Sequence, residues 1–132
     1  MGIIKHYSLE VSDIYIFDYF LINQIREGTN VDFPHDEQLN EIIENHFKNK
    51  QMVYISNRVF SYSVNPLIYP RIENITEMIG IALVPETKLM KKNAKYERNF
   101  YDKPFEIFGS LLEAINWTET ILSANTKQSK PH

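Results

Sequence analysis

From residue 34 to residue 122 the chain reads helix, strand, helix, strand, helix, strand, helix, and this order constrains the fold more than any other feature. Strands separated by single helices and short connections must lie parallel, joined by right-handed crossovers. The segment IGIALV, 79–84, fits that geometry, because it is apolar on both faces, as a strand covered by helices on both sides must be. Residues 3–31 read differently. IIKHYSLEV alternates loosely, Ser12-Asp13 is a turn signal, IYIFDYFLI is aromatic and β-branched, and Asp18 marks a bend. A further strand fits within INQIREGTNVDF, with Gly28 as a bulge or turn. The N-terminus therefore adds antiparallel partners, whose number and order the sequence leaves open. The expected fold class is α/β: a mixed sheet, antiparallel first and then parallel, flanked by about four helices.

Each helix carries its own signs. In PHDEQLNEIIENHFKNK, Leu39, Ile42, Ile43 and Phe47 form one apolar stripe, with Asp36 and Glu37 in the first turn and Lys48 and Lys50 at the end. MVYIS follows as a buried strand. Asn65-Pro66 opens the second helix, with Asn65 as N-cap and Pro66 at the first helical position. Leu67, Ile68, Arg71, Ile72 and Ile75 form its face, and Pro70 either distorts its first turn or delays its start. ETKLMKKNAKYERNFYDK is the third helix, with Leu89, Met90, Tyr96, Phe100 and Tyr101 as buried candidates. Lys88, Lys91, Lys92 and Lys95, beside Glu86 and Glu97, read as its solvated face. After the strand PFEIF, Ser110 and Glu113 form a capping box, and Leu111, Leu112, Ile115, Ile121 and Leu122 make the core stripe of the closing helix. The expected domain is residues 1–123, followed by a flexible polar tail, 124–132.

At 132 residues the chain is long enough to bury a core without a staple. It has no cysteine, which excludes disulfides, thiolate zinc sites and cysteine nucleophiles. Its net charge of −3 and its lack of a basic patch argue against nucleic acid. Lys5, Glu10, Asp13 and Asp18 interrupt every apolar run where the core of a signal peptide would lie, and no apolar run approaches the roughly 18 residues of a membrane span, so the expected location is the cytoplasm, with no integral membrane segment.

Two stretches carry a family resemblance: MVYISNRVFSYSVNPLIY, a strand, hydroxyl turn and helix, and KPFEIFGSLLEAINW, a strand followed by a helix with Ala114 and Trp117 as packing residues. With the order of elements, they make the chain similar to the STAS domain, and more narrowly to small bacterial STAS/SEC14-like, or sporulation anti-sigma-factor-antagonist-like, proteins. The resemblance implies a non-enzymatic role. In the antagonists a serine at the turn before the second helix accepts phosphate and controls partner binding, which makes Ser61 or Ser63 the counterparts by position. The antagonists' Asp-Ser and following glycine are absent from FSYSVNP. The SEC14 side of the likeness implies a lipid or other apolar ligand.

The residues themselves point to the same turn. A helix N-terminus presents free N–H groups to whatever precedes it, and Arg58 or Arg71 could pair with an anion there. The plainer alternative is that Ser61 and Ser63 satisfy backbone groups while Asn65 caps the helix. The candidate binding residues are Ser56, Arg58, Ser61, Tyr62, Ser63 and Asn65. Tyr15, Phe17 and Tyr19 alternate onto one face, packing under a helix or lining an apolar pocket or dimer surface. His6, His35, His46 and His132 show no metal spacing, and there is no nucleophile elbow, phosphate loop or dinucleotide fingerprint. The sequence thus predicts a non-catalytic regulatory or binding module without a cofactor, recognising a protein partner through residues 56–66 and the following helix. The alternatives are a carrier or sensor of a small apolar ligand, and a homodimer formed through an exposed sheet edge.

Overall fold

A computed structural model describes residues 2–59 and 62–129, and within them the N-terminal segment is a β-meander. Strands β1 (Lys5–Ser8), β2 (Ser12–Ile16) and β3 (Phe20–Ile25) pair antiparallel in sequence order. The first turn lies at 9–11 and not at Ser12-Asp13, because Ser12 is buried and Asp13 already faces Ser8 in the ladder. The second turn, at 17–19, is where Asp18 predicts a bend. From β3 onward every neighbour in the main sheet is parallel: β5 (Met52–Arg58), β7 (Met78–Pro85) and β8 (Phe105–Ile107) follow, giving the order β1-β2-β3-β5-β7-β8. Helices α1 (Phe33–Phe47), α2 (Ile68–Ile72), α3 (Lys88–Glu97) and α4 (Leu111–Ser129) make the connections and the close, as the alternating pattern requires. Helix α4 runs past residue 123, where the sequence places the end of the domain, to Ser129; residues 130–132 lie outside the described residues.

The parallel strands alternate between two cores, with one register shift at Met52/Val53. Leu21 and Ile25 of β3, Met52 and Tyr54 of β5, and Ile81 and Leu83 of β7 face α1, α2 and α3. Phe20 and Ile22, Val53 and Ile55, and Ala82 and Val84 face α4. The α1 stripe of Leu39, Ile42, Ile43 and Phe47 is buried as its spacing predicts. The α4 stripe is corrected: Leu112 is exposed, and the buried face runs through Ala114 and Thr118, with Leu111, Ile115, Trp117, Ile121 and Leu122 partly buried beside them. Thr118 fits there because its hydroxyl donates to Ala114 O within the helix. On α3, Leu89 and Tyr96 are exposed and the helix packs on Met90, Ala94 and Glu97. The spacing of these three, at i, i+4 and i+7, is the helical stripe, and it contains a carboxylate.

Two short strands remain, one within INQIREGTNVDF, where the sequence allows a further strand, and one that escapes notice in it. Strand β4 (Asn30–Val31) pairs in parallel with β6 (Ser63–Val64), forming a separate two-stranded ribbon. Gly28, at φ 76°, turns the chain from β3 into β4, in the left-handed region open to glycine. Helix α2 begins at Ile68, not at Pro66. The Asn65 side chain accepts from Leu67 N at 3.1 Å, closing an Asx turn, and Leu67 is exposed. Pro70 then falls in the first turn of α2, where its missing N–H would have had no helical partner.

Candidate functional site

Successive residues of a strand point to opposite faces, so Tyr54, Ser56 and Arg58 of β5 share one face, the one under α1 and α2. Asn23 of β3 sits beside Ser56 in the parallel register. These four make a polar stripe at the C-terminal ends of the central strands, within a face that is mostly aliphatic and aromatic. Asn23 Nδ2 donates to Tyr54 OH at 2.9 Å, and Ser56 Oγ and Tyr62 OH share a hydrogen bond of 3.0 Å.

The stripe ends in an ion pair. The Arg58 guanidinium donates twice to Glu97 of α3, at 2.7 Å and 2.5 Å, with both residues 5% exposed. This is the bidentate geometry in which an arginine–carboxylate bond is strongest. Tyr69 of α2 donates its hydroxyl to the same carboxylate, and the Tyr62 ring lies over the guanidinium at 5.2 Å. Burial alone pulls Arg58 toward neutrality, but its bonds to Glu97 outweigh that and lift its pKa above the ordinary value. Burial also raises the pKa of the Tyr54, Tyr62 and Tyr69 phenols, so all three stay protonated near neutral pH. Glu97 is therefore not part of the solvated face of α3: the four lysines are exposed, while Glu97 turns inward to meet Arg58.

Two spaces flank this network. The inner one, a cavity of about 50 Å³, lies under α1 and α2 and is walled by Asn23, Tyr54, Ser56, Arg58, Tyr62 and Asp36 together with aliphatic side chains such as Ile14, Ile25, Leu39 and Ile72. The outer one, a cleft of about 250 Å³, lies between the 62–66 segment and α3, lined by Tyr62, Ser63, Pro66, Met90, Asn93 and Tyr96, with Arg58 and Glu97 also on its wall. Asp36 anchors α1 to α2 through Arg71 Nε at 2.8 Å, yet its Oδ1 has no hydrogen-bond partner among the described residues. Asn23 Oδ1 and Arg58 Nε are in the same state. Each such buried atom costs about 1–3 kcal/mol.

The predicted site residues separate into groups. Ser56, Arg58 and Tyr62 come together in the stripe. Ser63 and Asn65 belong to the β4–β6 ribbon: Ser63 Oγ donates to Asn30 Oδ1 at 2.9 Å, and Asn65 Nδ2 donates to Asp32 Oδ1 at 3.0 Å. Ser61 lies outside the described residues. Tyr15 and Phe17 pack on the α4 side, away from the cavity, and Tyr19 is exposed with Lys50 Nζ over its ring at 5.2 Å. The aromatic strand region is thus no part of the cavity wall. Asn23, Asp36, Tyr69 and Glu97 are absent from the sequence-derived set. The signal for Glu97 is its helical phase with Met90 and Ala94; Asn23 and Asp36 leave none, since their partners come from distant segments.

The described residues hold no group of three or more His, Asp or Glu side chains able to bind a metal, and no helix among them is long and apolar enough to cross a membrane. No protein-family model and no curated protein matches the chain. Among solved structures it is similar to the crystal structure of an uncharacterized protein of the DUF3478 family with a SpoIIAA-like fold, from Shewanella loihica PV-4. The match has a TM-score of 0.53 and 11% identity, and it covers 86% of this chain and 90% of that one. The chain has the SpoIIAA-like, or STAS-like, fold that its order of elements predicts.

Proposed function

We propose that the protein is a non-catalytic binding module that recognises a protein partner through the outer cleft. The observation that carries this reading is a cleft lined by apolar and aromatic side chains, Tyr62, Val64, Pro66, Met90 and Tyr96, over a buried ion pair. Tyr96 of the lining is 60% exposed, and Val59 and Leu67, next in sequence to the lining residues Arg58 and Pro66, are 41% and 56% exposed. Aromatic and aliphatic groups at a cleft rim, above a buried arginine, are what an interface core is built from. Arg58 is buried on the cleft wall, and Ser56 lies behind Tyr62, so their part is to support the cleft and not to touch the partner.

The non-catalytic reading is supported by how the acid and the phenols at the cleft are committed. Among the described residues the only carboxylate lining the cleft, Glu97, already accepts from Arg58 and Tyr69, and the neighbouring phenols are held protonated. The phenols therefore give no group poised to exchange a proton near neutral pH. The test is photocrosslinking in cells, with a photoreactive residue at position 67 or 96 and, as the control, at position 112, which is exposed on α4. A discrete adduct from 67 and 96 and none from 112 is expected. Adducts that are absent, or equal from all three positions, would sink this reading.

A further inference from the structure

The inner cavity collects what the rest of the core avoids. Four buried side-chain polar atoms lack a hydrogen-bond partner among the described residues, and three of them belong to Asn23, Asp36 and Arg58, all on the wall of this one cavity. Each of these residues is more than nine-tenths buried. We infer that the cavity is a binding site for a small amphipathic molecule, with a body of a few carbons and a head that both donates and accepts hydrogen bonds. This inference does not depend on the outer cleft being a partner surface.

The unmet atoms define the head. Asn23 Oδ1 and Asp36 Oδ1 are acceptors that need an N–H or O–H, and Arg58 Nε is a donor that needs an oxygen. A hydrocarbon would leave all three unmet. An anion would suit Arg58 but be repelled by Asp36, and a cation the reverse. An amide, or a zwitterion with ammonium and carboxylate together, answers both. The aliphatic wall of Ile14, Ile25, Leu39 and Ile72 defines the body. The site lies at the C-terminal ends of parallel strands, where sheets of this class bind their ligands. A single water needs roughly 10–15 Å³ by the same measure, so the cavity of about 50 Å³ has room beyond one water. Tyr62 borders both the cavity and the cleft, so a longer body would extend past its ring.

Three probes on one branched skeleton test the inference: isovaleramide, isovalerate and isoamylamine, each titrated into the full chain and followed by backbone amide NMR shifts. Isovaleramide should give saturable shifts at residues 23, 36, 56 and 58, with a Kd of about 1 mM or tighter, the scale for a molecule of its size. The anion and the amine should bind at least about tenfold more weakly, a difference of one decade in the binding constant. Leu39→Trp, which fills the cavity, should abolish the shifts; Ile25→Phe serves if that variant does not fold. Three results would each overturn the inference: no shifts at those positions with isovaleramide, shifts that persist in the filled variant, or equal binding of all three probes. A crystal grown with saturating isovaleramide that shows water alone on the three atoms would overturn it too.

Discussion

The two faces of the sheet are made from the same strands, residue by alternate residue, yet they are built to different rules. Under α4, β3, β5 and β7 offer Phe20, Ile22, Val53, Ile55, Ala82 and Val84, all apolar, and the helix comes so close at Gly80 that a Cβ there would lie 2.9 Å from Ile121 Cδ1. Under α1, α2 and α3 the same strands insert Asn23, Ser56 and Arg58 among their aliphatic residues, with Tyr54 beside them, and Glu97 comes down from above. A buried ion pair is often no better for stability than well-packed apolar residues of the same volume. Stability therefore explains the α4 face and leaves the polar stripe to be explained by use.

The largest expected effect sets the faces apart by pH. Burial holds Tyr54, Tyr62, Tyr69 and Tyr101 protonated beyond the ordinary phenol value of 10.0, and Tyr54, Tyr69 and Tyr101 belong to the three-helix core with Tyr62 packed against it. Above that value the unfolded chain has lost protons that the folded chain keeps, so stability is full below it and falls as the pH rises further. In alkaline unfolding, the share of the phenolate ultraviolet band that belongs to these four of the eight tyrosines should appear together with the loss of circular dichroism. If these phenols ionise well before unfolding, the account of this face is wrong.

Next in size is Glu97→Ala, which leaves the Arg58 charge buried and unpaired. It should cost about 3–5 kcal/mol in urea denaturation. The double variant Arg58→Met with Glu97→Leu should recover most of that, and its failure to do so would show that the stripe is needed for stability after all. Gly80→Ala probes the opposite face. The added methyl meets Ile121, Trp117 and Pro104 O, and the overpacking should cost about 1–3 kcal/mol without disturbing the shifts of the polar stripe. A neutral result would mean that α4 can move away from the sheet. The smallest effect is Ser110→Ala, which removes the side chain that accepts from Glu113 N at 3.2 Å at the start of α4. It should cost about 1 kcal/mol, read as a lowered Tm.

Local patterns made most of the fold legible before any coordinates. The stripe of α1, the capping serine of α4 and the double-sided strand at 79–84 are each contained within a single segment, and all three stand. Helix phase is less secure where the apolar residues are dense. Leu111 and Leu112 are adjacent, only one of them can face the sheet, and the choice depends on the small Ala114 and the self-satisfied Thr118. The candidate site was legible only in part: of the residues the sequence singles out, Ser56, Arg58 and Tyr62 gather at one corner. What the sequence could not show was the far partner. Arg58 and Glu97 are 39 residues apart, and only the crossover through α2 and β7 brings the end of α3 over the end of β5. A buried carboxylate among four lysines has the composition of a surface, and its burial is a property of the fold.

The β4–β6 ribbon has a mechanical consequence. Four bonds, Ser63 N to Thr29 O, Asn65 N to Val31 O, Ser63 Oγ to Asn30 Oδ1 and Asn65 Nδ2 to Asp32 Oδ1, strap the wall of the cleft to the few residues that lead into α1. The Asp36–Arg71 pair then straps α1 to α2. The turn is therefore the handle of a lever whose other arm is the roof of the inner cavity. Whatever displaces residues 63–65 must either break these bonds or carry the start of α1 with it.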